Sequence, residues 1–183
     1  MLSAMFRRIG VYGFCAGAFV GAVLSLSIIA RGGEGSGDSS GSYLIGYASM
    51  LLGLSVIFVA VKRQRDISQG GVIKFLPAFG MGLAISFIAG VVYALAWELT
   101  LALTGLDFAG AYAEAAIETA KAKGMAGTEL EAYTAKMQDF AKMYSNPAFR
   151  IPMTFTEIFP VGVLVSLVCA LLLRNSRFFP ARG

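Results

Sequence analysis

The chain alternates between long apolar runs and shorter polar segments. A helix needs about 20 residues to cross a bilayer, and four runs are near this length or longer. They cover residues 9–30, 43–61, 75–103 and 151–173. Backbone N–H and C=O groups cannot stay unpaired in hydrocarbon, so each run is predicted to be helical. We therefore expect an all-α integral membrane protein, built as a bundle of four transmembrane helices.

The first run follows Arg7 and Arg8, as a secretory signal would. Its apolar stretch is longer than the roughly 7 to 15 residues of a signal's hydrophobic region, and no convincing cleavage site follows it. We interpret it as a retained transmembrane helix.

The amino-acid composition limits the catalytic and metal-binding sites that the chain can form. The 183 residues are 57% apolar and 14% charged, whereas a soluble domain has about 25% charged residues. The chain has no histidine, and its cysteines are Cys15 and Cys169, so the usual zinc ligand sets, Ser-His-Asp triads and Cys-His pairs cannot be assembled. We predict a protein that is not an enzyme and holds no metal or cofactor, with both cysteines acting as small apolar side chains.

Basic residues are distributed unevenly between the two sides of the predicted bundle. The N-terminus, residues 62–74 and the C-terminal tail hold nine basic residues and one acidic residue, whereas the other side holds six basic and eight acidic residues. The positive-inside rule then predicts that both termini are cytoplasmic, in a multi-pass protein of the inner membrane.

The sequence pI of about 9.2 does not indicate nucleic-acid binding. The basic residues are spread over three short segments, and no stacking aromatics are interleaved with them. We interpret them as topology signals that also attract anionic lipid, rather than as a binding face.

The connections between the runs differ in character. Residues 31–42 are rich in glycine and serine and are predicted to form a flexible loop. Residues 62–74 make a short connection, so the second and third transmembrane helices should form an antiparallel hairpin. Residues 105–150 alternate charged, small and aromatic side chains at helical spacing, which predicts a helical insert outside the membrane.

This insert is predicted to be a short two-helix extracytoplasmic cap between the third and fourth transmembrane helices. Its helices cover residues 107–123 and 128–144. Asp107 is the expected N-cap of the first helix, and Gly124 the glycine after its end. Thr128 and Glu131 have the spacing of a capping box at the start of the second.

The second cap helix carries one apolar stripe at steps of three and four residues. Its members are Leu130, Tyr133, Met137, Phe140 and Tyr144. The stripe can pack on the neighbouring cap helix, with Phe108 and Tyr112, or form a partner surface, or insert into the outer headgroup layer. A net charge near zero argues against the basic type of membrane-surface helix.

Rows of small residues recur along the predicted transmembrane helices. In a bilayer, helices associate through close approach at such residues rather than through hydrophobic burial. The rows comprise Gly13, Gly17 and Gly21 on the first helix, Gly82, Ser86 and Gly90 on the third, and Gly162 on the fourth. They predict contacts inside one bundle, with a homodimer contact through the first helix as the alternative.

Two carboxylates, Glu98 and Glu157, lie within the predicted spans. Glu98 follows the small-residue row of the third helix and lies near the outer membrane boundary, at the level of Tyr93 and Trp97, where aromatic belts are common. Glu157 lies about 9 Å below this boundary, judged from the helical rise. A carboxylate inside a span is a candidate functional group. The two are therefore the centre of a candidate polar intramembrane site, which also includes Arg150, Tyr93, Trp97, Thr156 and Pro160.

Pro160 follows Glu157 closely and removes the backbone hydrogen bond to the carbonyl of Thr156. The resulting kink and half-helix N-terminus would favour the anionic form of Glu157. We hypothesise that Glu98 and Glu157 approach one another, with Arg150 as the nearest cation. The alternative is structural: Glu98 reaches interfacial water, and Glu157 is tied to a basic residue or a threonine.

Several sequence blocks together resemble a known family. The blocks include Ile45-Gly-Tyr-Ala-Ser-Met50, residues 57–66 and 70–75, Tyr144-Ser-Asn-Pro-Ala-Phe-Arg150, and Thr154-Phe-Thr-Glu-Ile-Phe-Pro-Val-Gly162. They are similar to the small bacterial four-span membrane proteins catalogued as domain of unknown function four-one-nine-nine. The resemblance implies a bacterial four-span protein and supplies no established activity, cofactor or partner.

Three functional hypotheses follow. The leading one is a non-enzymatic inner-membrane protein, of binding, accessory or structural type, whose partners are the lipid bilayer and another membrane protein or a second copy of itself. The second is a small proton- or cation-coupled transporter that uses Glu98 and Glu157, although the two halves of the chain show no internal repeat. An enzyme is the third and least supported.

Overall fold

A computed structural model describes residues 2–30 and 40–180 of the chain. Seven helices lie within these residues, and no strand is present in them. In chain order they are α1 (Leu2–Ile29), α2 (Ser40–Leu54), α3 (Val56–Ser68), α4 (Phe75–Thr104), α5 (Phe108–Ala122), α6 (Gly127–Tyr144) and α7 (Pro147–Leu173). Of the predicted flexible loop, residues 31–39 lie outside the described part of the chain, and residues 40–42 begin α2.

Four helical stretches are long and apolar enough to cross a membrane. They are Met5–Ile29, Leu44–Ser68, Phe75–Thr104 and Pro147–Leu173. The predicted all-α architecture with four membrane-spanning helices is therefore confirmed. Large apolar side chains cover the outside of this bundle, where lipid would surround them, as at Leu76 and Leu103.

The second span differs from its predicted end at residue 61. It consists of α2 and α3, separated at Ser55, and it continues through the basic residues to Ser68. Lys62 and Asp66, four residues apart, form an ion pair on α3, which supports the helix beyond the apolar run. The connection to α4 is therefore only residues 69–74, where Gly70 and Gly71 adopt positive φ.

Helix α4 is central and packs most extensively against α7 and α1. Glycines make the contact with α1 possible. A Cβ atom at Gly17 would collide with the backbone carbonyl oxygen of Ala89, and one at Gly21 would lie 2.6 Å from the Cβ of Ala96. Gly13, one turn earlier, faces Ile88 on α4. This row of α1 therefore packs inside the bundle, as predicted.

The contact between α4 and α7 uses glycines paired with serines. Gly82 lies against Ser166, and Gly162 against Ser86. The two serine hydroxyls are 3.2 Å apart, and each also donates to a carbonyl four residues earlier in its own helix. Gly90 faces the ring of Phe155. These predicted packing residues therefore lie at the interface between α4 and α7.

Helices α5 and α6 form the helical insert between α4 and α7, and they pack on each other. Asp107 caps α5 as predicted, because its carboxylate accepts the Gly110 N–H at 2.9 Å. Gly124, with φ of +89°, follows the end of α5. The predicted capping box at Thr128 is wrong: Gly127, with positive φ, already turns the chain into α6, and Ala126 is the N-cap residue.

The C-terminal part of the apolar stripe of α6, at Phe140 and Tyr144, packs on α5, as the first of its three interpretations expects. Tyr112 on α5 contacts Phe140 with ring centroids 6.1 Å apart, and Phe108 contacts Tyr144 at the same distance. Phe140 and Tyr144 also contact each other. These rings give α5 and α6 a small aromatic core of their own, and we call this pair of helices the cap.

Candidate functional site: the junction between bundle and cap

The predicted site residues lie where the cap meets the bundle, on the facing sides of α4 and α7. Arg150, in the first turn of α7, holds Glu98 of α4 with two parallel bonds. Nε donates to one carboxylate oxygen at 2.5 Å, and Nη2 to the other at 2.6 Å. Both side chains are largely shielded. A bidentate pair of this kind fixes both position and orientation.

Arg150 also binds the end of the cap. Its Nη1 donates to the backbone carbonyl of Tyr144 at 3.2 Å, and its guanidinium carbon lies 5.8 Å from the centre of the Tyr144 ring. Since Tyr144 is the last residue of α6, one arginine connects α4, α6 and α7.

Trp97 makes a second link between bundle and cap. Its indole N–H donates to the Tyr144 hydroxyl at 2.9 Å, and its ring meets Phe108 of α5 edge to face. Burial raises the pKa of Tyr144, so this phenol stays protonated and uncharged near neutral pH. We call Trp97, Glu98, Tyr144 and Arg150 the junction.

Tyr93 and Trp97, predicted at the depth of an aromatic belt and in the candidate polar site, are buried rather than exposed to lipid. Their exposed fractions are 1% and 3%. Helix α4 has neighbours on two sides, so these aromatic residues point into the protein rather than toward the membrane interface. Depth alone could not distinguish an interfacial ring from one buried at the same level.

Glu157 has a different partner from Glu98. Its carboxylate accepts a hydrogen bond from the Tyr93 hydroxyl at 3.0 Å, and its side chain remains exposed on the bundle surface. The predicted threonine tie is not formed, because the Thr156 hydroxyl donates to the carbonyl of Met153. Pro160 does not divide the helix either, because α7 continues through it without interruption.

The carboxylates of Glu98 and Glu157 lie at two different heights along the antiparallel contact between α4 and α7. Arg150 and Glu157 are seven residues apart on α7, a rise of about 10 Å, and Tyr93 and Glu98 are five apart on α4, a rise of about 8 Å. Each carboxylate has its own partner from the opposite helix. The structure therefore brings Glu98 together with Arg150, and Glu157 together with Tyr93.

The sequence over most of this structure matches one family model. Residues 11–175 match the family described as "Protein of unknown function (DUF4199)". The chain belongs to the DUF4199 family. No curated protein and no solved structure matches this DUF4199 chain. The matched segment includes the junction, both carboxylates and the facing rows of α1, α4 and α7.

Sequence reasoning missed Thr154 of this DUF4199 protein as part of the junction. Thr154 is buried beside Tyr144, and its hydroxyl has no hydrogen-bond partner among the described residues. No pattern in the sequence distinguishes Thr154 from Thr156, because the burial of Thr154 depends on how the end of α6 folds over α7.

It also missed Arg65, at the opposite end of the bundle. Arg65 is fully buried, and it donates to Asp66 at 2.7 Å, to the carbonyl of Phe178 at 2.9 Å and to that of Phe179. The sequence did contain a signal for the burial of Arg65. This residue lies four positions after Val61, on the same face of α3 as the buried Ile57 and Val61.

The ionisable side chains do not assemble a metal site in the part of the chain that the structure describes, where no group of three Cys, Asp, Glu or His residues comes together. What the junction can do chemically is hold three helices in a fixed relation through a charge pair and an indole–phenol hydrogen bond.

Proposed function

We propose that this DUF4199 chain is a non-enzymatic accessory protein of the bacterial inner membrane, whose cap is a rigid platform outside the cytoplasm. The observation that carries the proposal is the junction. Glu98, one of the two carboxylates that the transporter hypothesis would load and release, has both of its oxygens bound by Arg150. The same arginine holds the end of the cap.

The surface of the cap supports binding to a polar partner. Phe140 and Tyr144 of the apolar stripe of α6 pack internally against α5. The exposed side chains include acidic and basic residues, namely Glu114, Glu118, Lys121, Glu129, Glu131, Lys136, Asp139 and Lys142. Charges of both signs favour a partner with complementary charges, such as another membrane protein or a second copy of this chain, over insertion into lipid.

The orientation follows from charge. In the part of the chain that the structure describes, the end of the bundle opposite the cap carries eight of the nine basic residues and the one acidic residue counted above, so we assign that end to the cytoplasm and the cap to the outer side. A cysteine at Ala126, exposed on the cap, should react with a membrane-impermeant thiol reagent in intact cells with a permeabilised outer membrane. A cysteine at Gln69, exposed at the other end, should react only after lysis, and the reverse pattern would refute the orientation.

One observation favours the transporter as a second candidate. Glu157 is an exposed carboxylate within a span, and Tyr93 gives it a single hydrogen bond. Protonation of Glu157 would break no hydrogen bond of the junction, because its hydrogen-bond partner Tyr93 is not part of it. Transport would therefore depend on Glu157 and be independent of Glu98.

Two measurements on the full-length protein compare the accessory function with the transporter function. A photo-crosslinking residue is introduced at Lys136 on the cap and, as a control, at Gln69 at the opposite end. We expect one discrete adduct from Lys136 in living cells and none of the same mass from Gln69, with less adduct when Arg150→Gln loosens the cap.

A second measurement separates transport from binding. Proteoliposomes containing the wild-type chain should show no proton or cation flux above that of empty liposomes. Flux that Glu157→Gln abolishes, together with no adduct at Lys136, would contradict the accessory function and establish the transporter.

A further inference from the structure

A groove with a basic lining lies at the end of the bundle opposite the cap, between α1 and α3. Its volume is about 470 Å³, and it is lined by Arg7, Arg8, Val11, Tyr12, Arg63 and Ile67. The sequence places these residues in two segments more than fifty positions apart, so it predicts topology signals that attract anionic lipid in general and not one binding site. The fold brings three guanidinium groups to one groove.

Two of the arginines are positioned by neighbouring side chains. Arg8 donates to the amide oxygen of Gln64 at 2.9 Å and to the hydroxyl of Ser68 at 3.2 Å. Arg63 lies 3.4 Å from the Tyr12 hydroxyl. These partners are uncharged, so they orient the guanidinium groups without neutralising them.

The groove keeps its positive charge. Its described lining contains no carboxylate. The nearest acidic residue in sequence, Asp66, is bound by Lys62 and Arg65 instead. Three guanidinium groups with unused donors match the oxygens of a phosphate group, which arginine binds in a bidentate manner.

The walls of the groove are apolar and continuous with the outside of the bundle. Val11 and Ile67 are exposed by 55% and 63%, and Phe14 one turn along α1 is also exposed on the outside. Because α1 and α3 belong to membrane-spanning stretches, these side chains border the acyl-chain region. A ligand that suits the groove therefore has an anionic phosphate head and an apolar tail.

We propose that this groove binds the phosphodiester headgroup of an anionic membrane phospholipid, with Arg7, Arg8 and Arg63 on the phosphate and the acyl chains along Val11 and Ile67. Basic pockets between transmembrane helices bind anionic lipid in this way. The site is separate from the junction, and the proposal does not depend on the function of the cap.

The test measures lipid binding to the full-length chain in mild detergent by native mass spectrometry, with phosphatidylglycerol and phosphatidylcholine added in parallel. We expect phosphatidylglycerol to remain bound at concentrations where phosphatidylcholine does not. Arg7→Gln should weaken phosphatidylglycerol binding roughly fivefold, and Arg7→Gln with Arg63→Gln about 30-fold. Arg7 has no hydrogen-bond partner among the described residues, so the single variant should fold normally.

The matched control is Arg174→Gln with Arg177→Gln, which removes two exposed charges from the same end of the bundle but outside the groove. It should weaken binding much less, because distant surface charges act only through a screened potential. Equal weakening by the two double variants would show attraction to general surface charge and overturn the site.

Inorganic phosphate distinguishes the possible sources of the anion. A large molar excess should displace little phosphatidylglycerol, because free phosphate lacks the apolar tail. Complete displacement, or equal binding of phosphatidylcholine and phosphatidylglycerol, would overturn the assignment to an anionic lipid.

Discussion

The bundle and the cap are both helical, yet they are held together by opposite means. Between α1, α4 and α7 the closest contacts are made at glycine and serine, and large apolar side chains are both buried, as at Ile85 and Ile158, and exposed on the outside, as at Leu76. Between α5 and α6 the contacts are made by aromatic rings, and charged side chains point outward. The two regions thus differ in the side chains that make the closest helix contacts and in those that cover the outside.

The difference follows from the solvent of each region. Lipid is as apolar as leucine, so burying a large side chain between transmembrane helices gives little advantage, and close backbone approach provides the attraction instead. The cap is bordered by water, where burying an aromatic ring is strongly favourable. The bundle should therefore be sensitive to added volume and the cap to lost volume.

The largest expected effect is from added volume in the bundle. Gly17→Leu should lower the free energy of unfolding by about 3 kcal/mol, the upper end of the range for overpacking, because even a Cβ there meets the Ala89 carbonyl. Gly10→Leu on the same helix is the matched control, since nothing lies within 4 Å of its Cβ position. Thermal unfolding in detergent measures both, and equal melting temperatures would refute close packing at Gly17.

Lost volume in the cap should have the next largest effect. Phe140→Ala removes a ring that contacts Tyr112 and Tyr144, and it should cost about 2 kcal/mol, less than a fully buried ring because Phe140 is partly exposed. Leu99→Ala, which shortens an exposed side chain on α4, should change stability little in lipid. Hydrogen exchange of α5 and α6 measures the stability lost in Phe140→Ala. Comparable losses in the two variants would remove the contrast between the regions.

A smaller effect is expected at the junction from Trp97→Phe. This change keeps an aromatic ring beside Phe108 but removes the N–H donated to Tyr144. The loss should be about 1 kcal/mol, the usual net value of a hydrogen bond. It should appear as faster exchange at the end of α6, with no change in α1. Faster exchange throughout the protein would instead indicate that Trp97 supports the bundle as a whole.

The sequence predicts the bundle well because its determinants are local. Apolar runs long enough to cross a bilayer and glycines at steps of four residues can be recognised directly, and both are found in the structure. The continuation of α3 to Ser68 was missed, although Lys62 and Asp66 have the spacing of a helical ion pair. The partners of the buried Arg65 could not be predicted locally, because one of them is a carbonyl 113 residues later in the chain.

The junction illustrates the same limit. Arg150 was recognised as the nearest cation, but Glu98 and Arg150 are 52 residues apart. Their two-bond geometry depends on how α5 and α6 return the chain to α7. The sequence therefore indicates which charged residues occupy this depth, and the fold of the cap decides which of them become partners.

The central claim is that Glu98 and Arg150 act as one structural unit that fixes the cap to the bundle. Hydrogen exchange of α5 and α6 in lipid nanodiscs tests it, with Glu98→Gln, Arg150→Gln, the double variant and Glu157→Gln as control. We predict that each single change at the pair speeds exchange in the cap, that the double change adds little, with a coupling free energy of about 1 kcal/mol, and that Glu157→Gln leaves the cap unchanged. Additive effects of the two changes, or an equal effect of Glu157→Gln, would contradict the claim.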